Sequence, residues 1–508
     1  MKRDLLACVL FFCSGFAALV YETVWTRQLV LVFGATMPSA STVLAGFMAG
    51  MALGALWGVR HWRGSGDPLR LYGRLELAIA AYAAVFPWVV KAIMAFIAAS
   101  ALPAAPVRLV LVFAALLPAT TLMGLTFPVL SRLDADPDPG RSVGDLYAAN
   151  LAGSSLGVLA AAFLLLPLIG LAWSHRLAVL ISLAVGLTAA NAPPQGPPLP
   201  APPPAAAGPW QAPACLFVSG LCGMAFEVVW IRILMPSFNN SAYGFAAVVF
   251  VFLAGLGGGS FCAARFPALG LAGLGAIQVL AGLFAYVGYR TFELTQLLQI
   301  RLGTMGPSAI SPVVFAPLIE SLVVLLPLAV LQGTLLPAAV RLTAAGQDTG
   351  AAAGRIYFWN TAGGILGALA AGFWWIPAAG LQDALLLAIA ASVVCGAALV
   401  LSAAPRRPLR LAGPAFALAL LASMVLSLRG RTLPETVLLD WLGRSGGNAT
   451  LPFYADDLEA SVAVRGGLAR RSLIINGVGV TGYAVATKMI AHIPLVLHPK
   501  PERTLIIC

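Results

Sequence analysis

The chain has 508 residues, of which 60% are apolar and only 10% charged, and its formal net charge is +11. Soluble domains are nearer a quarter charged, and disorder needs low hydrophobicity, so this composition excludes both an ordinary soluble enzyme and a disordered chain. The basic residues lie in short loops between apolar runs rather than in an aromatic-interleaved patch. They suit the positive-inside rule and give no reason to expect nucleic acid as a partner.

Met1-Lys2-Arg3 opens an apolar stretch that runs on to Tyr21 without an Ala-x-Ala site, which reads as a first transmembrane helix and not a cleaved signal. About 20 apolar residues cross a bilayer as a helix. On that measure spans are expected near 5–28, 40–60, 76–99, 107–130, 148–169, 174–191, 213–234, 242–263, 267–288, 312–338, 358–379, 382–402 and 409–428. Arg60, Arg63, Arg70, Arg74, Arg132, Arg141, Arg341, Arg355, Arg406, Arg407 and Arg410 then fall on the side of Lys2 and Arg3. This predicts a cytoplasmic N-terminus in a bacterial inner membrane, with the tail on the far side after thirteen spans. The lipid bilayer is the first expected partner.

Residues 192–214 form a proline-rich linker that divides the membrane part. The two parts repeat. Residues 14–60 align with 219–265 without gaps at an offset of 205, with 14 of 47 positions identical. Glu22, Trp25 and Arg27 match Glu227, Trp230 and Arg232. At an offset of 210, Gly144, Tyr147, Asn150, Gly153, Gly157, Phe163, Pro167 and Gly170 match Gly354, Tyr357, Asn360, Gly363, Gly367, Phe373, Pro377 and Gly380. The expected fold class is an all-α polytopic membrane protein of two parallel six-span repeats, 1–191 and 215–403, plus one extra span in 404–430. Two parallel six-span halves resemble the layout of the major facilitator superfamily.

The tail changes character: residues 429–508 carry 15 of the chain's 49 charged residues. Glu459–Arg465 alternates polar and apolar as a half-buried strand does. Gly466-Gly467 is a turn, Leu468–Ile475 a second strand, and Asn476-Gly477 a hairpin turn. Tyr483–Ile493 suits a short helix before Pro494, and Thr504–Ile507 begins a buried strand that stops at Cys508. A small β-rich domain is expected over 431–502.

Asp457–Arg465, Ser472–Gly482, Ala491–Pro501 and Arg503–Ile507 resemble the entry to spermidine synthase-like proteins. The opening "SGFAALVYETVWTRQL" and "FMAGMALG" are similar to a group in which a multi-span region is fused to such a domain. The resemblance implies polyamine or S-adenosylmethionine-related chemistry, with S-adenosylmethionine or its decarboxylated form as cofactor of a Rossmann-like domain beginning at 503. The glycine-rich turn and acidic residues of that domain have no counterpart in this sequence, so it implies no cofactor and no catalytic residue here. Thr481–Lys488, with no acid and an added Lys488, departs from the family's cation-binding stretch.

The candidate site residues lie in the repeats. Glu22 and Glu227 sit in apolar spans, where ionisable groups are costly and mark pathways. With Arg27 and Arg232 they make either a cation or proton site at the repeat interface or a structural pair at helix ends. Trp25 and Trp230 suit stacking on a cation or anchoring at the interface. Asn150 and Asn360, with Tyr147 and Tyr357, either line a polar cavity or bond across helices. Lys91 snorkels or faces a cavity. Gly50/Gly54 and Gly255/Gly259 suit close helix packing. His492 and His498 have no acidic neighbours, so no metal site is expected. Three readings follow: a membrane-bound spermidine synthase-like protein lacking its transferase part, a transporter of a small organic cation such as a polyamine, and a non-enzymatic scaffold.

Overall fold

A computed structural model describes residues 2–33, 37–61, 66–99, 104–133, 138–194, 208–238, 242–266, 269–303, 316–344, 348–403, 419, 422–423, 453–457, 460–465, 472–475 and 478–482. Most of the expected span at 409–428, the Asn476-Gly477 turn, the helix at 483–493, the strand at 504–507, His492 and His498 lie outside the described residues.

Apolar runs form helices here because hydrocarbon offers the backbone no other hydrogen-bond partner. In chain order they are α1 (Lys2–Phe33), α2 (Met37–His61), α3 (Pro68–Ala99), α4 (Ala104–Leu130), α5 (Pro139–Leu159), α6 (Leu166–Ala190), α7 (Gln211–Leu234), α8 (Ala242–Ala263), α9 (Leu271–Gly303), α10 (Ala316–Thr343), α11 (Thr349–Ala370) and α12 (Ile376–Ala403). They fall in ten continuous segments long and apolar enough to cross a membrane. Two of these, Pro139–Ala190 and Thr349–Ala403, have 52 and 55 residues. At 1.5 Å per residue each is roughly 80 Å long, more than twice the hydrocarbon thickness of about 30 Å.

Both long segments break at a glycine. Gly170 has φ 73°, ψ 177° and Gly380 has φ 84°, ψ 170°, a backbone region open essentially to glycine alone. A π-helical turn precedes each, at Ala160–Leu165 and Ala371–Trp375. Packing gives the direction on either side of the first break. Gly153 lies on Phe12 and Gly157 on Phe16, so α5 runs parallel to α1. Tyr72 bonds Leu10 and Glu76 bonds Ser14, so α3 is parallel to α1 as well. Gly73 meets Ala190 while His175 bonds the Ala83 carbonyl, so α6 is antiparallel to α3. The chain therefore reverses between α5 and α6.

The same pairs meet in both halves: α1 with α5 and α7 with α11, α2 with α4 and α8 with α10, α3 with α6 and α9 with α12. Glycines set these approaches. A Cβ on Gly153 would collide with the Phe12 carbonyl oxygen, and one on Gly363 with that of Phe217. Gly50, Gly54 and Gly259 are packed equally tightly, against Thr120, Thr121 and Val330. Between the halves, α5 packs on α8 and α2 on α11.

Several helices extend past their hydropathic limits. The α3 helix begins at Pro68, where proline's missing N–H costs nothing. Arg70 and Arg74 therefore sit within that helix and not in a loop. Its start is held by Asp67, which accepts from Leu69 N at 3.0 Å and pairs with Arg3. Likewise α7 begins at Gln211, inside the proline-rich stretch, with Pro213 in its first turn.

The tail forms a four-stranded antiparallel sheet in the order β1 (Phe453–Asp456), β2 (Ser461–Arg465), β3 (Ser472–Ile475), β4 (Val478–Gly482). Ala463 and Ile474 pair and are both buried. The strand β1 was not anticipated: FYAD is short and lacks alternation. The second expected strand is described only from Ser472.

Candidate substrate site and gate

At one end of the bundle, α5 and α11 each start on an aspartate. Asp138 accepts from Gly140 N at 3.0 Å, and Asp348 from Gly350 N at 2.9 Å and Ala351 N at 3.3 Å, satisfying orphan donors of the first turn. Each aspartate also receives an arginine from the opposite half. Arg341, ending α10, donates Nε to Asp138 Oδ1 at 2.7 Å and Nη2 to Oδ2 at 2.6 Å. Arg132, just past α4, donates Nε to Asp348 Oδ1 at 3.0 Å and pairs with Oδ2 at 2.8 Å. Both are two-pronged guanidinium–carboxylate pairs, the stronger geometry. Desolvation works to raise the Asp138 carboxyl, but the Arg341 hydrogen bonds and charge, with the Gly140 and Arg141 amides, outweigh it and hold it below the usual carboxylate range. A third inter-half pair, Arg265 to Asp145 at 2.7 Å, lies at the same end, with Arg265 over the Phe261 ring. It borders a cavity of about 590 Å³ between α1, α5 and α8.

Further into the bundle, Tyr147 and Tyr357 meet edge to face at 6.5 Å between ring centres, with Phe127 at 5.6 and 5.2 Å from them. Tyr357 donates to Met51 Sδ at 3.5 Å. Both positions are repeat mates, so this aromatic layer marks where the halves face each other.

The carboxylates come next. Glu22 lies six residues beyond Phe16, which packs on Gly157, itself ten residues beyond Tyr147, so Glu22 is about 24 Å along the bundle from Tyr147. Glu227 is buried, and Glu22 is near enough to act on it electrostatically. Among the described residues neither carboxylate has an ion pair. Arg27 is exposed and Arg232 is turned away: it donates to the Asp457 carbonyl at 3.1 Å, in the tail sheet. Neither arginine therefore pairs with the glutamate five residues before it, since five residues place side chains on different helix faces.

No family model matches the chain, and no curated protein matches it. Among solved structures the chain is similar to a major facilitator superfamily transporter, FucP, in the outward conformation, with a TM-score of 0.50 and 14% identity over 79% of this chain and 98% of that one. It is similar also to a bacterial homologue of the iron transporter ferroportin in the outward-facing state, with a TM-score of 0.50 and 11% identity over 79% and 99%. The chain has a major facilitator-type fold. It is an integral membrane protein, and at these identities the likeness establishes fold alone.

Within this fold the other expected site residues divide. Asn150 donates Nδ2 to the Phe11 carbonyl at 3.1 Å and so binds α5 to α1. Asn360 is half-buried on α11, and its carbonyl packs on Gly220. Trp25 and Trp230 are neither interfacial nor open to a ligand: both are fully buried, and Trp25 stacks on Phe86 at 4.1 Å. Lys91 is exposed. Arg132 and Arg341 read in the sequence as loop charges; their pairing at an offset of 209, beside aspartates at 210, was the signal of the reciprocal contacts.

The sheet docks at the opposite end. Asp456 Oδ2 accepts from Leu381 N at 3.1 Å, just past the Gly380 break, and Oδ1 accepts from Tyr454 at 2.6 Å and from Ser461. Burial first, then the Asp456 charge and hydrogen bond, push the Tyr454 phenol well above its usual range, so it remains a donor. The α12 helix ends with α1's start, while β1 lies near its own beginning, so residues 403 and 453 stand at opposite ends of the bundle.

Proposed function

We propose that this protein carries a small organic cation across the membrane by alternating access, with Glu22 and Glu227 as its anionic contacts. The observation that supports this most is that two repeat-related carboxylates, one from each half, lie near enough for Glu22 to act electrostatically on Glu227, with no cationic side chain paired to either among the described residues. A buried carboxylate pair is costly unless a cation or a proton answers it. A cation held between them couples to the relative motion of the halves, because each half supplies one contact.

The gate follows from the same symmetry. The reciprocal pairs Arg132–Asp348 and Arg341–Asp138, and the tyrosine layer behind them, close one end of the path. Opening that end requires both pairs to part together, since each ties α4 or α10 of one half to the first turn of α11 or α5 in the other. Polyamines belong to the class of cation that two carboxylates accept. The transferase chemistry implied by the tail's resemblance would need residues past Ile507, and the bundle's reading does not depend on it.

Trp25 and Trp230 stand three residues beyond the two glutamates and report on them. Titrating the purified protein with putrescine, spermidine or tetraethylammonium should change tryptophan fluorescence saturably, and Glu22→Gln and Glu227→Gln should each weaken that response at least tenfold. Equal affinity in the wild type and both variants would remove the site.

A further inference from the structure

The two halves differ in one buried polar chain. In the first half, Glu76 on α3 is 1% exposed and accepts from the Ser14 hydroxyl of α1. Tyr72 on α3 and Ser182 on α6 lie near enough to act on it. Tyr72 reaches the Leu10 carbonyl at 3.2 Å. The Tyr21 hydroxyl is buried without a hydrogen-bond partner among the described residues, and Tyr21 packs edge-on against His175, ring centres 5.9 Å apart. His175 Nε2 meets the Ala83 carbonyl at 2.9 Å, and its Nδ1 is buried without a partner among the described residues.

The equivalent positions in the second half are fixed by packing. Gly73 meets the Gly186 carbonyl at 2.7 Å, and Gly275 meets that of Gly396 at 2.5 Å, which aligns α3 with α9 at an offset of 202. On that register Glu76 becomes Gln278 and Tyr72 becomes Leu274. With the offsets of the other helices, Tyr21 becomes Phe226 and His175 becomes Leu385, while Ser14 and Ser182 remain serines at 219 and 392. All four titratable groups are thus replaced by near-isosteric or apolar residues, and the helix pairs still pack in the same way. The repeat does not need these groups to fold, and only the first half keeps them.

From this asymmetry we infer that Glu76 is a proton-loading site, its ligand a proton, and that it couples transport to a pH gradient. The inference rests on the transporter reading above. The groups acting on the Glu76 carboxylate are Ser14 from α1, Tyr72 from α3 and Ser182 from α6, with Cys13 of α1 acting on Tyr72; no arginine or lysine acts on it among the described residues. A buried carboxyl held by hydroxyls alone can take or release a proton without breaking an ion pair. Glu76 acts electrostatically on Tyr21, the neighbour of Glu22 on α1, so a change of charge at Glu76 is felt beside the candidate cation site.

The test is infrared difference spectroscopy of the full chain in nanodiscs after a pH jump, which needs no substrate. A carbonyl band of a protonated buried carboxyl should appear in the wild type and in the Glu22→Gln/Glu227→Gln double variant, and vanish in Glu76→Gln. Gln278 occupies the equivalent site, so Glu76→Gln should fold. Should it not, Ser14→Ala removes one hydrogen bond and should move the same band to higher frequency. A band unchanged by Glu76→Gln or by Ser14→Ala overturns the proton site. If that happens while cation binding still depends on Glu22 and Glu227, the transporter reading stands alone.

Discussion

Arg132 and Asp348 form a two-pronged ion pair between halves, and the repeat reproduces it with the partners exchanged, as Arg341 and Asp138. One half gives the arginine in one pair and the aspartate in the other. The two pairs are part-exposed, so each contributes about 1 kcal/mol at most. Breaking both with Arg132→Ala/Arg341→Ala should shift the balance between closed and open at this end by about 2 kcal/mol, or roughly 30-fold. Distances between spin labels at the ends of α4 and α11 should lengthen in the double variant. Unchanged distances would show that the pairs do not gate.

The same end should respond to acid. Asp138 has a folded pKa below its ordinary 3.8, so its contribution is complete above that value and is lost as pH falls through the lower folded one. The label distances should stay constant down to pH 3.8 and widen only below it. Widening near neutral pH would place the sensitive group elsewhere.

Close packing at Gly153 and Gly363 makes a different prediction. Gly153→Ala or Gly363→Ala drives a methyl into a carbonyl oxygen and should destabilise the protein by about 1–3 kcal/mol. Gly258, with nothing within 4 Å of its added Cβ, should accept alanine without loss. Thermal unfolding in detergent separates the two cases.

Asp456 joins the tail sheet to the bundle. Asp456→Ala removes the acceptor of Leu381 N and the charge beside Arg232. Docking should weaken by about 1–2 kcal/mol. Proteolysis should then cut the tail faster while the bundle's unfolding temperature stays the same. Equal cleavage of both proteins would mean the sheet is held otherwise.

Much of the bundle was legible because lipid imposes a simple rule: apolar runs become helices, and a duplicated Glu or Tyr in such a run stands out. That rule singled out Glu22, Glu227, Tyr147 and Tyr357, and of these pairs of repeat mates the tyrosines meet edge to face. It could not say where Arg27 and Arg232 turn, because that depends on helix phase and on the tail sheet. Trp25 was misread for the same reason: an aromatic near a span's end looks interfacial until Phe86 covers it. Glu76 lies at the first residue of its hydropathic span and resembles a loop charge. Only the helix register set by Gly73 and Gly275 pairs it with Gln278. Asp138 and Asp348 act through caps and partners more than 200 residues away, which no local pattern encodes.

Counterflow of radiolabelled putrescine or spermidine into proteoliposomes tests the central claim most directly. The account predicts saturable accumulation with the wild-type protein, above that of protein-free vesicles, and its loss in both Glu22→Gln and Glu227→Gln. Accumulation no greater than in empty vesicles, or equal in the wild type and both variants, would contradict it.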